Sequence, residues 1–160
     1  MDARNPALGA KGVAKAWADP QFKQRLVDDP RGTLAGMGIE VGAIAELCVV
    51  ENTDALHHVV VCTLCSCYPR MILGIPPAWY KSTAYRSRVV RDPRGVLGEF
   101  GVKLPESTAV RVLDSTADLR FLVIPRRPDG TQGMSEDELA MLVTRDSMIG
   151  CGLPRRPETP

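Results

Sequence analysis

The sequence predicts an α+β fold in one domain, residues 1–160, assembled from two copies of a helix–helix–hairpin unit. The first sign is a repeat. Asp29-Pro30-Arg31-Gly32-Thr33-Leu34 recurs as Asp92-Pro93-Arg94-Gly95-Val96-Leu97, at an offset of 63 positions. At the same offset Arg25 and Val27 meet Arg88 and Val90, and Gly38, Val49, Thr53, Leu56 and Val60 meet Gly101, Val112, Thr116, Leu119 and Val123. No gap interrupts the register, which places the copies at 13–61 and 76–124. The second sign is that, in each copy, apolar residues at helical spacing give way to two short apolar runs joined by turn residues.

Taken in order, each copy opens on an amphipathic helix, marked by Val13, Trp17, Phe22 and Leu26 in the first and by Tyr80, Tyr85 and Val89 in the second. Pro30 and Pro93 suit a first helical position, so a short second helix starts there and stops at Gly38 or Gly101. Strands follow at Leu47–Glu51 and Leu56–Val61, and at Val110–Leu113 and Leu119–Ile124, with turn chemistry in Asn52-Thr53-Asp54 and Asp114-Ser115-Thr116. A tail helix begins after Ser135, where Ser135-Glu136-Asp137-Glu138 forms a capping box ahead of Leu139, Met141, Leu142 and Val143.

Composition removes several functions. A net charge of +1 offers no basic face for nucleic acid or lipid, and 44% hydrophobic with 24% charged residues describes a globular chain. The longest apolar runs, Val59–Cys62 and Phe121–Ile124, are too short to cross a bilayer. The N-terminal residues lack the apolar stretch of a signal peptide, so a cytoplasmic, reducing location is expected. There, five cysteines, three of them within six positions, point to metal or redox chemistry and not to a disulfide framework.

The copies diverge after their second strands. The second runs into Pro125-Arg126-Arg127-Pro128-Asp129-Gly130, a polar loop, while the first runs into a claw-like loop, Cys62-Thr63-Leu64-Cys65-Ser66-Cys67. Specialisation of one copy places the function in that loop. Thiolates at Cys65 and Cys67 would press the chain between them against an ion, bringing the amide nitrogens of Ser66 and Cys67 within reach. Two sulfurs and two deprotonated amides make a planar set, with Cys62 on one axis and the sixth position open. That set suits low-spin trivalent cobalt or iron better than tetrahedral zinc. A structural zinc site would need a fourth ligand from Cys48, His57 or His58, none of them well placed. A redox Cys62-x-x-Cys65 pair is expected to open a helix, which Pro69 and Pro76-Pro77 oppose.

These residues carry a resemblance. Val61–Pro69, then Leu73-Gly74-Ile75-Pro76-Pro77-Ala78-Trp79-Tyr80-Lys81-Ser82, Tyr85–Arg91 and Leu142–Gly150 resemble the α subunit of nitrile hydratase. The resemblance implies a four-layer α-β-β-α fold and hydration of a nitrile to its amide at a non-corrin cobalt(III) or, less in keeping with Thr63, a non-haem iron centre. Thr63 in the second claw position is the family's cobalt marker. By position, Cys62, Cys65, Ser66 and Cys67 are the metal ligands, Cys65 being oxidised to sulfinate and Cys67 to sulfenate. The ion serves as Lewis acid toward the nitrile, and the Cys67 sulfenate oxygen or a hydroxide on the ion attacks the nitrile carbon. Cys67 and Cys65 are thus the catalytic residues, with Thr63 and Lys81 behind them. A hetero-oligomer is implied, in which a β-type subunit or subunits supply arginines to the oxidised claw, and a metallochaperone or activator protein delivers the metal.

The chain departs from the family in two places. The usual long N-terminal arm is short or absent, which also fits partners organised as two shorter chains. Arg70 stands where the family usually has tryptophan. Arginine there suits an anionic substrate, as in the sister thiocyanate hydrolases, which release carbonyl sulfide and ammonia from thiocyanate. It suits equally the ring of a polar or heteroaromatic nitrile, a partner subunit or solvent. A non-enzymatic alternative, a cobalt-carrying subunit, leaves the open sixth position without a purpose. Trp79 and Tyr80 read as packing at a helix start. His57 and His58, one facing in and one out, read as structural, and Arg126-Arg127 and Arg155-Arg156 as solvated charge.

Overall fold

In the computed structural model, residues 7–42 and 45–158 are described. The helices are α1 (Ala7–Ala18), α2 (Pro20–Asp28) and α3 (Pro30–Ala35), then α4 (Arg70–Leu73), α5 (Ala78–Lys81), α6 (Thr83–Arg91), α7 (Pro93–Glu99) and α8 (Glu136–Leu142), with a 3₁₀ turn at Asp146–Ile149. The strands are β1 (Glu46–Glu51), β2 (Leu56–Val61), β3 (Ala109–Asp114) and β4 (Leu119–Ile124). The α+β class is therefore the one observed. The N-terminal arm, expected to be short or absent, concerns residues 1–6, which lie outside the described ones.

The repeated Asp-Pro-Arg-Gly segment has a physical account at each position. Asp29 and Asp92 cap α3 and α7, accepting from the amides of Gly32 and Gly95 at 3.0 Å in both copies. A Cβ on either glycine would collide with that cap carboxylate and push it off the amide, so glycine keeps the cap in place. The prolines take the first helical position. Arg31 reaches back to the carbonyls of Gly42 and Ala45, and Arg94 to those of Pro105 and Thr108, pinning the chain that enters the next strand. Each unit then turns through a positive-φ glycine, Gly38 at 77° and Gly101 at 81°.

Two expectations need correction. The first amphipathic helix of each copy is two helices. Asp19 caps a new one at Pro20, accepting from Gln21 and Phe22, and Ser82 does the same for α6 by accepting from Tyr85. Nor do the strands form hairpins. β1 pairs with β4 and β2 with β3, both parallel, so each copy gives one strand to each of two two-stranded sheets. The registers mirror one another: Glu46 lies opposite Leu119, and Leu56 opposite Ala109. The turns exist, closed by Thr53 N to Leu56 O at 2.9 Å and Thr116 N to Leu119 O at 2.8 Å, but the strands they join diverge into different sheets. The cause is burial. Val59, Val60 and Val61 are all buried, as are Phe121 to Ile124, so both faces of β2 and β4 are covered, and parallel strands suit that setting.

Helices α2 and α3 pack on β1 and α7 on β3, while β1 meets β2 between the sheets. Leu26, Val59–Val61, Val89, Val123 and Leu73 form one core. The tail helix carries the expected capping box at Ser135 and Glu138 and packs on α1 through Leu139 and Leu142 against Ala14.

His57 and His58 are both buried, not one in and one out. His57 Nε2 meets the Gly150 carbonyl at 2.7 Å and its Nδ1 meets the Asn52 amide at 3.2 Å. His58 Nδ1 sits 2.9 Å from Asn52 Oδ1. Burial holds both rings below the ordinary histidine range, with Arg111 and His57 adding to the effect at His58. A histidine lowered on folding must stay neutral in the fold, so its contribution to stability is full above the unfolded value of about 6.5 and lost as pH falls below it. The melting temperature is accordingly expected to fall between pH 7 and pH 5, and to fall less in His57→Gln, as differential scanning fluorimetry across that range would show.

Candidate metal centre

The loop after β2 brings three sulfurs together. Cys62 and Cys65 Sγ stand 3.4 Å apart and Cys65 and Cys67 Sγ 3.1 Å apart, with all three ligand atoms within 4.8 Å of one another. Two thiolates ~2.3 Å from one ion stand ~3.3 Å apart at a right angle and ~3.8 Å apart at the tetrahedral angle. The two spacings from Cys65 match the right-angled arrangement, which a six-coordinate ion offers and tetrahedral zinc does not. Cys62 and Cys67 are buried while Cys65 is exposed. Hydrogen bonds from Cys67 and Cys62 draw the Cys65 thiol down, whereas burial, then Cys65 itself, pushes Cys67 up.

Four side chains from four elements hold the claw and the residue that follows it. From the end of β3, Asp114 accepts from Thr63 N at 2.9 Å and Thr63 Oγ1 at 2.6 Å. Tyr80, fully buried on α5, donates to the Cys67 carbonyl at 2.8 Å. Arg120 donates to the Tyr68 carbonyl at 2.8 Å from β4, and Arg86 to the Cys65 carbonyl at 3.4 Å from α6. Beneath them Tyr68 meets Tyr80 edge to face and Tyr80 meets Tyr85 tilted, and the Tyr85 hydroxyl anchors α6 to Val60 O at 2.6 Å.

Most of this frame is invisible in the sequence. Asp114, expected in a turn, closes β3 beside Val61. Tyr80, expected to pack only, also holds the claw. Arg120 carries a signal, a lone charge inside an apolar strand. Among the described residues no fourth ligand for a zinc site joins the three sulfurs, and His57 and His58 are bound to Asn52 and Gly150. Cys62–Cys65 opens no helix, since α4 starts only at Arg70. Arg127, expected in solvent, binds Thr131 and the Trp17 carbonyl, while Arg126 pairs with Asp54 and Asp129. Arg70 is exposed on the rim of a cavity of about 210 Å³ shared with Arg120 and Glu46, and Lys81 is exposed beside Tyr80.

Asp114→Asn is expected to weaken metal retention by ten- to a hundredfold, the usual cost of losing a group that orients a ligand loop. A chelator competition on the metal-loaded chain reads this directly, and unchanged retention would remove Asp114 from the frame.

Three sulfurs and the amides between them, presented by a framed loop on a two-sheet α+β scaffold, define a chain able to grip a single ion. The sequence profile described as nitrile hydratase, alpha chain, matches residues 1–152, and the chain belongs to that family. It is 57% identical over 148 residues to the cobalt-containing nitrile hydratase subunit alpha of Pseudonocardia thermophila, covering 91% of this chain and 72% of that one. It is 54% identical over 152 residues to the low-molecular weight cobalt-containing nitrile hydratase subunit alpha of Rhodococcus rhodochrous, covering 95% and 73%. A solved recombinant thiocyanate hydrolase comprising partially-modified cobalt centers superposes with a TM-score of 0.90 at 43% identity, covering 98% of this chain and 80% of that one.

Proposed function

We propose that this chain is the metal-carrying catalytic subunit of a nitrile hydratase, adding water to a nitrile to form the amide. The observation that carries the reading is the sulfur spacing, 3.4 and 3.1 Å, in a loop whose intervening residues are Ser66 and its neighbours. In this reading Cys62, Cys65 and Cys67 hold cobalt by sulfur and Ser66 and Cys67 by their amide nitrogens. Membership of the family and the cobalt-containing relatives support that metal. The ion would supply Lewis acidity toward the nitrile nitrogen. Cys65 and Cys67 would carry the oxygens of the working claw, Cys67 the one that reaches the nitrile carbon. Thr63 fixes the loop to Asp114, and Lys81 lies beside the Tyr80 that holds Cys67.

Residues 1–160 act here as one domain with an internal repeat at an offset of 63 positions, and only the first copy runs into a claw. Leu64, Met71 and Ile75 are large, apolar and exposed around the claw. They support a β-type partner subunit closing over it, with arginines for the oxidised sulfurs. An activator protein would load the metal. Among the described residues no helix is long and apolar enough to cross a membrane.

One observation favours a second substrate. Arg70 and Arg120 line, with Glu46 and Pro69, a small cavity, and two guanidiniums against one carboxylate suit thiocyanate as well as a polar nitrile. The assay that separates them supplies the cobalt-loaded assembly with nitriles and, in parallel, with thiocyanate. Amide formation is the expected result. Carbonyl sulfide and ammonia from thiocyanate would move the chain to the sister activity, and turnover of neither would leave a metal carrier.

A further inference from the structure

We infer that Arg86 is a positioning residue of the claw: it holds the peptide oxygen that takes up negative charge when the Ser66 nitrogen becomes a ligand. The inference rests on the ligand set proposed above. The Cys65 carbonyl and the Ser66 nitrogen belong to one peptide group. That nitrogen can lie in a plane with two thiolates on one ion only after it has given up its proton. The resonance that keeps the peptide flat then moves much of the charge onto the carbonyl oxygen. Arg86 Nη1 donates to that oxygen at 3.4 Å. This is long for a charge-assisted contact, which runs to about 2.8 Å, so charge arriving on the oxygen draws the guanidinium in.

Two further observations single out Arg86. Its Nε is buried with no hydrogen-bond partner among the described residues, a donor that the fold itself leaves unspent. Arg88, two positions along the same helix, is by contrast tied to Glu99. Moreover, the helix that carries Arg86 is fixed at both its cap and its face. Ser82 accepts from Tyr85 N at 3.1 Å, and the Tyr85 hydroxyl donates to Val60 O at 2.6 Å. The guanidinium is therefore delivered from an anchored helix to the one peptide group bridging Cys65 and Ser66. A claw of three thiolates and two deprotonated amides outweighs a trivalent ion in charge, so a fixed cation against it lowers the cost of assembling the site.

The test uses the full chain and its R86Q, R86K and R88Q variants, each loaded with cobalt. Loss of metal to a chelator is followed together with the sulfur-to-cobalt charge-transfer absorption and the melting temperature. R86Q is expected to lose cobalt ten- to a hundredfold faster than the parent and to shift the absorption band. R86K, which keeps the charge and one donor, should fall between the two, and R88Q should match the parent. A loaded parent with R86Q indistinguishable in retention and spectrum overturns the inference, even if R86Q melts lower. If R86Q does not fold, R86K decides, and an R86K identical to the parent in both readouts overturns it equally. A parent that takes up no cobalt sinks the ligand set itself, and this inference with it.

Discussion

Cys65→Ala is expected to leave the protein folded and to strip it of metal. The side chain is exposed and belongs to neither apolar cluster, so its loss should change unfolding free energy by no more than about 0.5 kcal/mol. Its sulfur, however, is the hub of the claw, 3.4 Å from Cys62 and 3.1 Å from Cys67, and the other two cannot replace it. Cobalt content after dialysis should drop to background, and retention by more than about a hundredfold, beyond the usual cost of losing an orienting group alone. Metal analysis beside a melting curve checks both halves. A variant that melts as the parent does and still holds one cobalt per chain would show that the sulfurs do not act as a set.

The opposite pattern is expected of Gly150→Ala, which touches no sulfur and should destabilise the fold strongly. Gly150 has φ of 78° and ends the 3₁₀ turn. A Cβ there would overlap the backbone carbonyl of His58, which is buried in β2 and cannot give way as a side-chain tip would. The same residue's carbonyl takes the hydrogen bond from His57 Nε2 at 2.7 Å, so a shift of the turn also strands a buried ring. Together the left-handed backbone, the collision and the lost bond should cost at least about 3 kcal/mol. Chemical denaturation measures it, and a loss below about 1 kcal/mol would mean that the turn moves freely against β2.

Features encoded by neighbouring residues are legible in the sequence itself. The claw is one: six consecutive positions set which sulfurs meet, and the fold brings those three together. The capping box at Ser135 and the helix starts at Pro30 and Pro93 are others, since each rests on a side chain and an amide three positions away. Features that depend on what lies across the fold are not legible in this way. Thr53 and Thr116 make turns as expected, but a turn says only that the chain reverses, not which strand it will lie beside. The uninterrupted apolar run Val59-Val60-Val61 carries the missing sign, because a half-exposed hairpin strand alternates and a strand covered on both faces does not. Asp19-Pro20 holds a helix start that the continuous apolar spacing from Val13 to Leu26 conceals.

The frame around the claw is hidden for the same reason. Asp114, Arg120 and Arg86 lie 51, 52 and 21 positions from the backbone groups they hold, and no local pattern ties them to the loop. Strand pairing supplies that link. Because β2 pairs with β3, Val61 lies opposite Asp114, and the residue at the strand end falls beside Thr63. The swapped sheet is thus what positions the claw.

X-ray absorption at the cobalt edge of the loaded chain reads the proposed ligand set directly. The expected result is a six-coordinate ion with the sulfurs of Cys62, Cys65 and Cys67 and the two backbone nitrogens of Ser66 and Cys67 in its inner shell. A four-coordinate, tetrahedral ion, or a shell containing imidazole from His57 or His58, would contradict it.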